Sequence, residues 1–236
     1  MDGTSRHSFN PMTRSDMATT VEARAREQVG TSTPAAPWYR DRIRLAVAGG
    51  LALVAIALVA WFVTTSNRRK EEFAARSLNQ ARTAAESGNL PLASSELQKL
   101  IQAYQGTDAA TEAVITLNQV RMVNGQSELA VVGLRDFLQA DPGPKYRAPA
   151  YGLLGAALEN AKKFGEAGDA FTSASQAAAI DYLRARYLVD AGRSYRAAGK
   201  TAEAVAAYRT VVEKYPTSSS FTEAQVRLAE LTDGKM

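Results

Sequence analysis

Four alanines, Ala93, Ala130, Ala167 and Ala204, stand 37 residues apart along the chain. Four positions after them come Leu97, Leu134, Phe171 and Tyr208, and seven after them Leu100, Phe137, Ala174 and Val211. An apolar residue at each of these offsets makes one stripe of an α-helix. Twelve positions before the alanines stand Ala81, Asn118, Gly155 and Gly192, mostly small enough for a second helix to pack closely against the first. Five positions before stand Gly88, Gly125, Lys162 and Gly199. Glycine takes the positive φ that ends a helix, so Gly88, Gly125 and Gly199 are expected to turn one helix into the next. The pattern predicts four helix–turn–helix units. A single pair cannot cover its own apolar face, so such units must stack.

Breakers separate the units: Gln105-Gly106-Thr107, Asp141-Pro142-Gly143-Pro144 and Tyr215-Pro216-Thr217-Ser218. Pro149 is expected near a helix start, where its missing N–H costs little. The expected units start near 74, 111, 148 and 185, and residues 222–232 (TEAQVRLAELT) read as a closing helix over the last apolar face.

Ahead of the repeats, Leu45 to Val63 runs nineteen residues without a charge. As a helix it extends roughly 28 Å, about the hydrocarbon thickness of a bilayer. Arg40, Arg42 and Arg44 precede it, and Arg68, Arg69 and Lys70 follow. Trp38, Tyr39, Trp61 and Phe62 place amphipathic rings at its two ends, as at headgroup interfaces. Core helices are seldom apolar on every side over such a length. The run also exceeds a signal peptide's apolar region and begins more than forty residues in, without a small-x-small cleavage site after it. An uncleaved anchor spanning 40–70 with its charged flanks is expected. Within about twenty residues, five basic residues stand on each side, so the positive-inside rule leaves the orientation open.

Residues 1–39 are rich in Ser, Thr, Pro, Ala and Arg, a composition that cannot bury enough surface to offset ordering, and are expected to form a disordered basic tail. Val21 to Gln28 offers at most a helical turn or two near a membrane surface. Residues 1–70 carry ten Lys/Arg and five Asp/Glu, a net of +5, while 71–236 carry eighteen and nineteen, a net of −1. The basic charge is therefore not on the folded region, which argues against a nucleic-acid partner.

Cys is absent and His7 is the one histidine, so there is no disulfide framework and no Cys/His metal or nucleophile set. Phosphate-loop, G-x-S-x-G, H-E-x-x-H and G-x-G-x-x-G motifs are also missing. Glu166 and Asp169 fit exposed helix positions better than an acid/base pair. No catalytic, cofactor, metal or small-molecule site is expected.

The repeat residues are those of the tetratricopeptide repeat, and the chain resembles that family from about Phe73 onward. The best-matching unit carries Leu188, Gly192, Tyr195, Gly199, Ala204, Tyr208, Val211 and Pro216; the one before it carries Tyr151, Gly155, Ala167, Phe171 and Ala174. Its period exceeds the family's usual length of about 34, and the surplus is expected in the turns between units. The expected fold is all-α: the tail, one transmembrane helix, then an α-solenoid of about four hairpins over 71–236 with a C-terminal cap. The resemblance implies a concave face made by the first helix of each unit. That face would include Arg82, Met122, Glu159, Arg186, Val189, Arg193 and Arg196, with Leu78, Ile115 and Gly152 beside them. It reads as a peptide groove with an Arg cluster for carboxylates; Arg186, Arg193 and Arg196 also read as a plain solvated helix face, partly neutralised by Asp181 and Asp190. Leu78 and Arg82 stand where a carboxylate-clamping domain of the family has Lys and Asn, so that clamp is not expected.

A tail, a single anchor and a repeat domain close behind it resemble the single-pass ancillary Sec-translocon subunits (the YfgM-like family). That resemblance implies a bacterial inner-membrane protein with its N-terminus cytoplasmic and its repeats periplasmic. It implies a scaffold that links translocated chains to periplasmic chaperones, with Sec components, those chaperones and the lipid bilayer as partners. Two alternatives share the sequence features: an envelope-assembly scaffold for cell wall or outer membrane, and a cytosol-facing adaptor that recruits soluble partners.

Overall fold

The computed structural model describes residues 38–234. The expected tail, including the turns at 21–28, lies outside the described residues apart from Trp38 and Tyr39, whose backbone is helical. Among the described residues the secondary structure is helical throughout, without a strand. In chain order the helices are α1 (Trp38–Glu86), α2 (Leu90–Ala103), α3 (Asp108–Val123), α4 (Ser127–Gln139), α5 (Pro144–Asn160), α6 (Phe164–Ala177), α7 (Asp181–Ala197), α8 (Thr201–Lys214) and α9 (Phe221–Thr232).

The chain divides into two compact units, Met1–Trp61 and Phe62–Met236. In the first, the described residues belong to α1. Every residue from Arg44 to Trp61 is exposed, with Leu45 at 72% and Ile56 at 65%. Among the described residues, α1 holds the one segment long and apolar enough to cross a membrane, and none of them covers it.

In the second unit, consecutive helices pack as antiparallel neighbours. The last turns of α1 pair with α2 through Ala81, Leu97 and Leu100. The further hairpins are α3–α4, α5–α6 and α7–α8, and α9 closes the stack by laying Ala224 and Leu228 on the last one. All four marker alanines are fully buried. Each hairpin turn repeats one geometry. Gly88, Gly125 and Gly199 have φ of +81°, +74° and +74°, as their sequence register predicts, and Lys162 takes +60° in the same register. One residue further on, the N–H of Asn89, Gln126, Lys163 and Lys200 reaches back to the carbonyl of Ala84, Arg121, Leu158 and Tyr195 at 2.8–2.9 Å. These bonds satisfy carbonyls that a helix end would otherwise leave unpaired.

The small residues set how closely the helices approach. A Cβ on Gly192 would lie 2.6 Å from the Tyr208 ring, and one on Gly155 2.8 Å from the Phe171 ring. Gly168 stands in the same way against Tyr195, and Gly152 against Tyr187. The ring therefore occupies the volume that a side chain on the glycine would need. In the first two hairpins the same register holds Ala81 and Leu97, then Asn118 and Leu134, all buried, with a larger residue in place of glycine and a smaller one in place of the ring.

Two expectations are corrected. Pro149 lies well inside α5, which begins at Pro144. The surplus over the usual repeat is not in the turns between units: those after α2, α4 and α6 have four, four and three residues. It lies in the first helices, which run 16 residues in α3 and 17 in α5 and α7, against 13 or 14 in α2, α4, α6 and α8. The structure accordingly begins these helices at Asp108, Pro144 and Asp181, three or four residues before 111, 148 and 185.

Helix starts are tied down between units as well as within them. Thr107 Oγ1 accepts from the Ala110 N–H at 3.1 Å. Glu71, one repeat upstream, accepts from the Asp108 and Ala109 N–H groups at 2.9 and 2.8 Å. A carboxylate there meets both the unpaired donors and the positive end of the α3 dipole.

Candidate functional site

Equivalent positions on the first helices form rows across the stack, and burial decides which rows face a partner. Leu78, Ile115, Gly152 and Val189 are all buried, with Val189 only 4% exposed. Val189 therefore belongs to the core and does not line an open face. Tyr187 sits over Gly152 and draws α5 and α7 together there. The next row, Arg82, Gln119, Ala156 and Arg193, and the one after it, Ala85, Met122, Glu159 and Arg196, are partly or fully exposed. Met122 is half-buried, packed against the core of the later hairpins.

The two ends of this face differ in chemistry. On α5, α7 and α9 the charges are already engaged with one another. Arg193 donates to Asp190 at 2.8 Å, with Glu159 3.8 Å away. Ser194 donates to the same Glu159 carboxylate at 2.7 Å. Arg196 reaches across to Glu230 at 2.9 Å, and Arg227 shares that carboxylate at 3.2 Å. Burial pushes the Asp190 carboxyl above its ordinary range, opposed by Arg193 and Arg186. Hydrogen bonding from Arg227, and then Arg196, holds Glu230 below its ordinary range. Arg186 is exposed on the same helix. The structure thus brings Glu159 and Arg193 together, and places Arg196 beside the closing helix. Two of the three arginines read as a carboxylate-binding cluster, Arg193 and Arg196, are ion-paired, which leaves less positive charge for an acidic ligand.

Across α1, α2 and α3 lies a cleft of about 340 Å³. Ala85, Leu90, Val120 and Val123 line it, with Arg82, Glu86, Thr116 and Gln119 at its polar edges. Arg82 is held by Glu112 at 2.7 Å, and Thr116 Oγ1 donates to the Glu112 carbonyl at 3.1 Å. Val123 is 75% exposed, more than any other large apolar residue described. The rows expected from the sequence include Arg82 but not Glu86, Leu90, Val120 or Val123. Leu90 belongs to a second helix, and Glu86 and Val123 stand one residue beyond the predicted row. Their 37-residue offset in the sequence is the signal that pairs them.

Among the described residues, no group of three or more His, Cys, Asp or Glu is placed to hold a metal ion. A polar-edged cleft of about 420 Å³ lies among Lys162, Lys163, Glu166, Asp169 and Lys200, and a more apolar one of about 270 Å³ among Leu188, Tyr195 and Ala207. At the first, Lys163 pairs with Glu128 at 2.8 Å, and Glu166 with Arg135.

No curated protein matches the sequence. Among solved structures, the MamA protein is similar at 21% identity and a TM-score of 0.54, covering 70% of this chain and 83% of MamA. A Podosopora anserina protein of nearly identical TPR-like repeats is similar at 19% identity and a TM-score of 0.55, covering 67% and 85%. A tetratricopeptide repeat protein from Parabacteroides merdae is similar at 10% identity and a TM-score of 0.54, covering 67% and 59%. These likenesses establish the fold, a stack of helical repeats. The model of the tetratricopeptide repeat-like domain matches residues 37–233, and with its stacked hairpins, turn geometry and marker alanines the chain belongs to that family.

Proposed function

We propose that the protein is a membrane-anchored scaffold that grips other polypeptides through its repeats. The observation that carries this is the coexistence of two uncovered surfaces. One is the apolar segment from Leu45 to Val63, which is exposed among the described residues. The other is the partly exposed inner face of a repeat domain whose family works by binding proteins. A bilayer covers the first at a gain of roughly 25 cal/mol for each Å² removed from water. Carbonate washing of native membranes tests the anchor: the protein stays with the lipid, and release into the wash sinks it.

More specifically, we read the protein as an ancillary subunit of the Sec translocon in a bacterial inner membrane. Its tail is cytoplasmic, and its repeats pass translocated chains to periplasmic chaperones. The support is the order of tail, single anchor and repeat domain in the sequence. Crosslinking in native membranes recovers the Sec channel under this reading; recovery of cell-wall or outer-membrane assembly factors instead makes the protein an envelope-assembly scaffold. Five basic residues on each side of the apolar run leave the orientation open, so a cytosol-facing adaptor stands as a second reading. A C-terminal topology reporter separates the two, because activity confined to the cytoplasm removes every periplasmic role.

A further inference from the structure

The inner face is divided: in the later hairpins its charges are mutually engaged, while between the first two lies a cleft with an apolar floor. We propose that this cleft, formed by Ala85, Leu90, Val120 and Val123 with Glu86 at its rim, binds a partner segment in which an apolar side chain is followed by a lysine or arginine. The inference deepens the scaffold reading above and rests on it.

Three observations support the apolar half. The cleft, at about 340 Å³, is within the size range of ligand sites, and apolar side chains make its floor. Val123 stands almost fully in water, which costs hydration free energy unless something covers it. The corresponding positions in the other hairpins are Glu86, Asn160 and Ala197, so at this register a large exposed apolar side chain stands only in the second hairpin.

The cationic half follows from charge at the mouth. Arg82 is held by Glu112, whereas Glu86 makes no ion pair among the described residues. Glu86 also lies in the last turn of α1, with no basic residue there, so it adds to the negative end of the helix dipole. The parallel helix α3 ends beside it at Val123, and Arg121, the base in its last turn, is turned towards Asn118. The mouth is therefore negative, and a cation on the partner relieves it. An acidic segment meets repulsion at the same place.

The test uses the full-length protein in lipid nanodiscs and three labelled peptides that differ only at a central tripeptide, Leu-Phe-Lys, Leu-Phe-Glu or Ser-Ser-Lys, with binding read by fluorescence anisotropy. Leu-Phe-Lys is expected to bind about tenfold tighter than either of the others. Val123→Asp abolishes the preference for Leu-Phe-Lys over Ser-Ser-Lys, and Glu86→Lys inverts the preference between Lys and Glu. Both residues are exposed, so both variants keep the fold, as circular dichroism checks. Equal binding of the three peptides, or no binding, overturns the inference. So does concentration-dependent self-association lost in Val123→Asp, which gives the cleft to a second copy of the chain. Sec crosslinks with no peptide preference sink the cleft alone; peptide preference without Sec crosslinks sinks the translocon reading alone.

Discussion

Lys162 occupies a backbone position that suits glycine. Its φ of +60° repeats the geometry of Gly88, Gly125 and Gly199, and a side chain in the left-handed region costs about 1–2 kcal/mol. Glycine loses more freedom on folding, which returns part of that. Lys162→Gly is expected to stabilise the repeats by about 0.5–1 kcal/mol, read as a higher urea midpoint; a lower midpoint shows that the lysine makes a compensating contact. Asp190 poses the opposite kind of local conflict. Desolvation raises its folded pKa above the ordinary 3.8 despite Arg193 and Arg186. The folded state thus holds the proton more tightly than the unfolded state. The associated stability is fully present below the unfolded value and is lost as pH rises through the folded one. Asp190→Asn carries no such loss, so its urea midpoint should exceed the parent's near neutral pH, with the gap closing towards pH ~3. A gap that widens on acidification refutes this.

At the scale of helix pairs, volumes are matched across each hairpin. Ala81 with Leu97, Asn118 with Leu134, Gly155 with Phe171 and Gly192 with Tyr208 all stand sixteen residues apart, and the ring appears where the partner has no side chain. Gly192→Ala is expected to cost about 1–3 kcal/mol by overpacking. Adding Tyr208→Leu, which rebuilds the first hairpin's pair, should leave the double variant less damaged than the sum of the two single changes, by about 1 kcal/mol in a thermodynamic cycle. Strict additivity means that the two positions are not coupled. These pairs were legible as sequence because periodicity records what each register position must fit: the marker alanines, the turn glycines and the closing helix all follow from it. The face was less legible. Val189 lies in the core because α5 and α7 meet at Gly152 and Tyr187, a distance that repeat spacing does not contain. The surplus residues lengthen α3, α5 and α7 at their N-terminal ends, before the apolar stripe begins. Glu71 and Thr107 cap the α3 start, whereas α5 and α7 begin after Gly143 and Ile180 without a side-chain cap. Glu159 and Arg193, and Arg196 and Glu230, pair across 34 residues in each case, near one repeat, but the pattern of charges alone gives many such pairings and selects none.

The repeat unit as a whole has two cores, not one. Among the described residues, one cluster of eleven buried side chains runs from Ala74 to Val120, and another of twenty from Ala130 to Leu228. They part inside the second hairpin, where buried Asn118 and Arg121 face Gly133 and a polar contact replaces an apolar one. Of the apolar side chains on α3, Met122 is the one that packs against the larger core. In stacked repeats each unit is held mainly by its neighbours, so a weak interface lets the two sides open separately. Hydrogen exchange should accordingly resolve two sets of amides, with α2 and α3 opening at a lower free energy than α6 to α8. Leu97→Ala, which empties part of the smaller core at a cost of about 2–5 kcal/mol, should speed exchange in α2 and α3 and leave α6 to α8 unchanged. A uniform change across all the hairpins means that the cores unfold as one. The cleft that takes the partner is floored by Leu90 and Val120, both packed into the smaller core. The ligand should therefore protect the less stable set and raise its opening free energy towards that of the larger one, so that binding tightens the stack most where it is loosest.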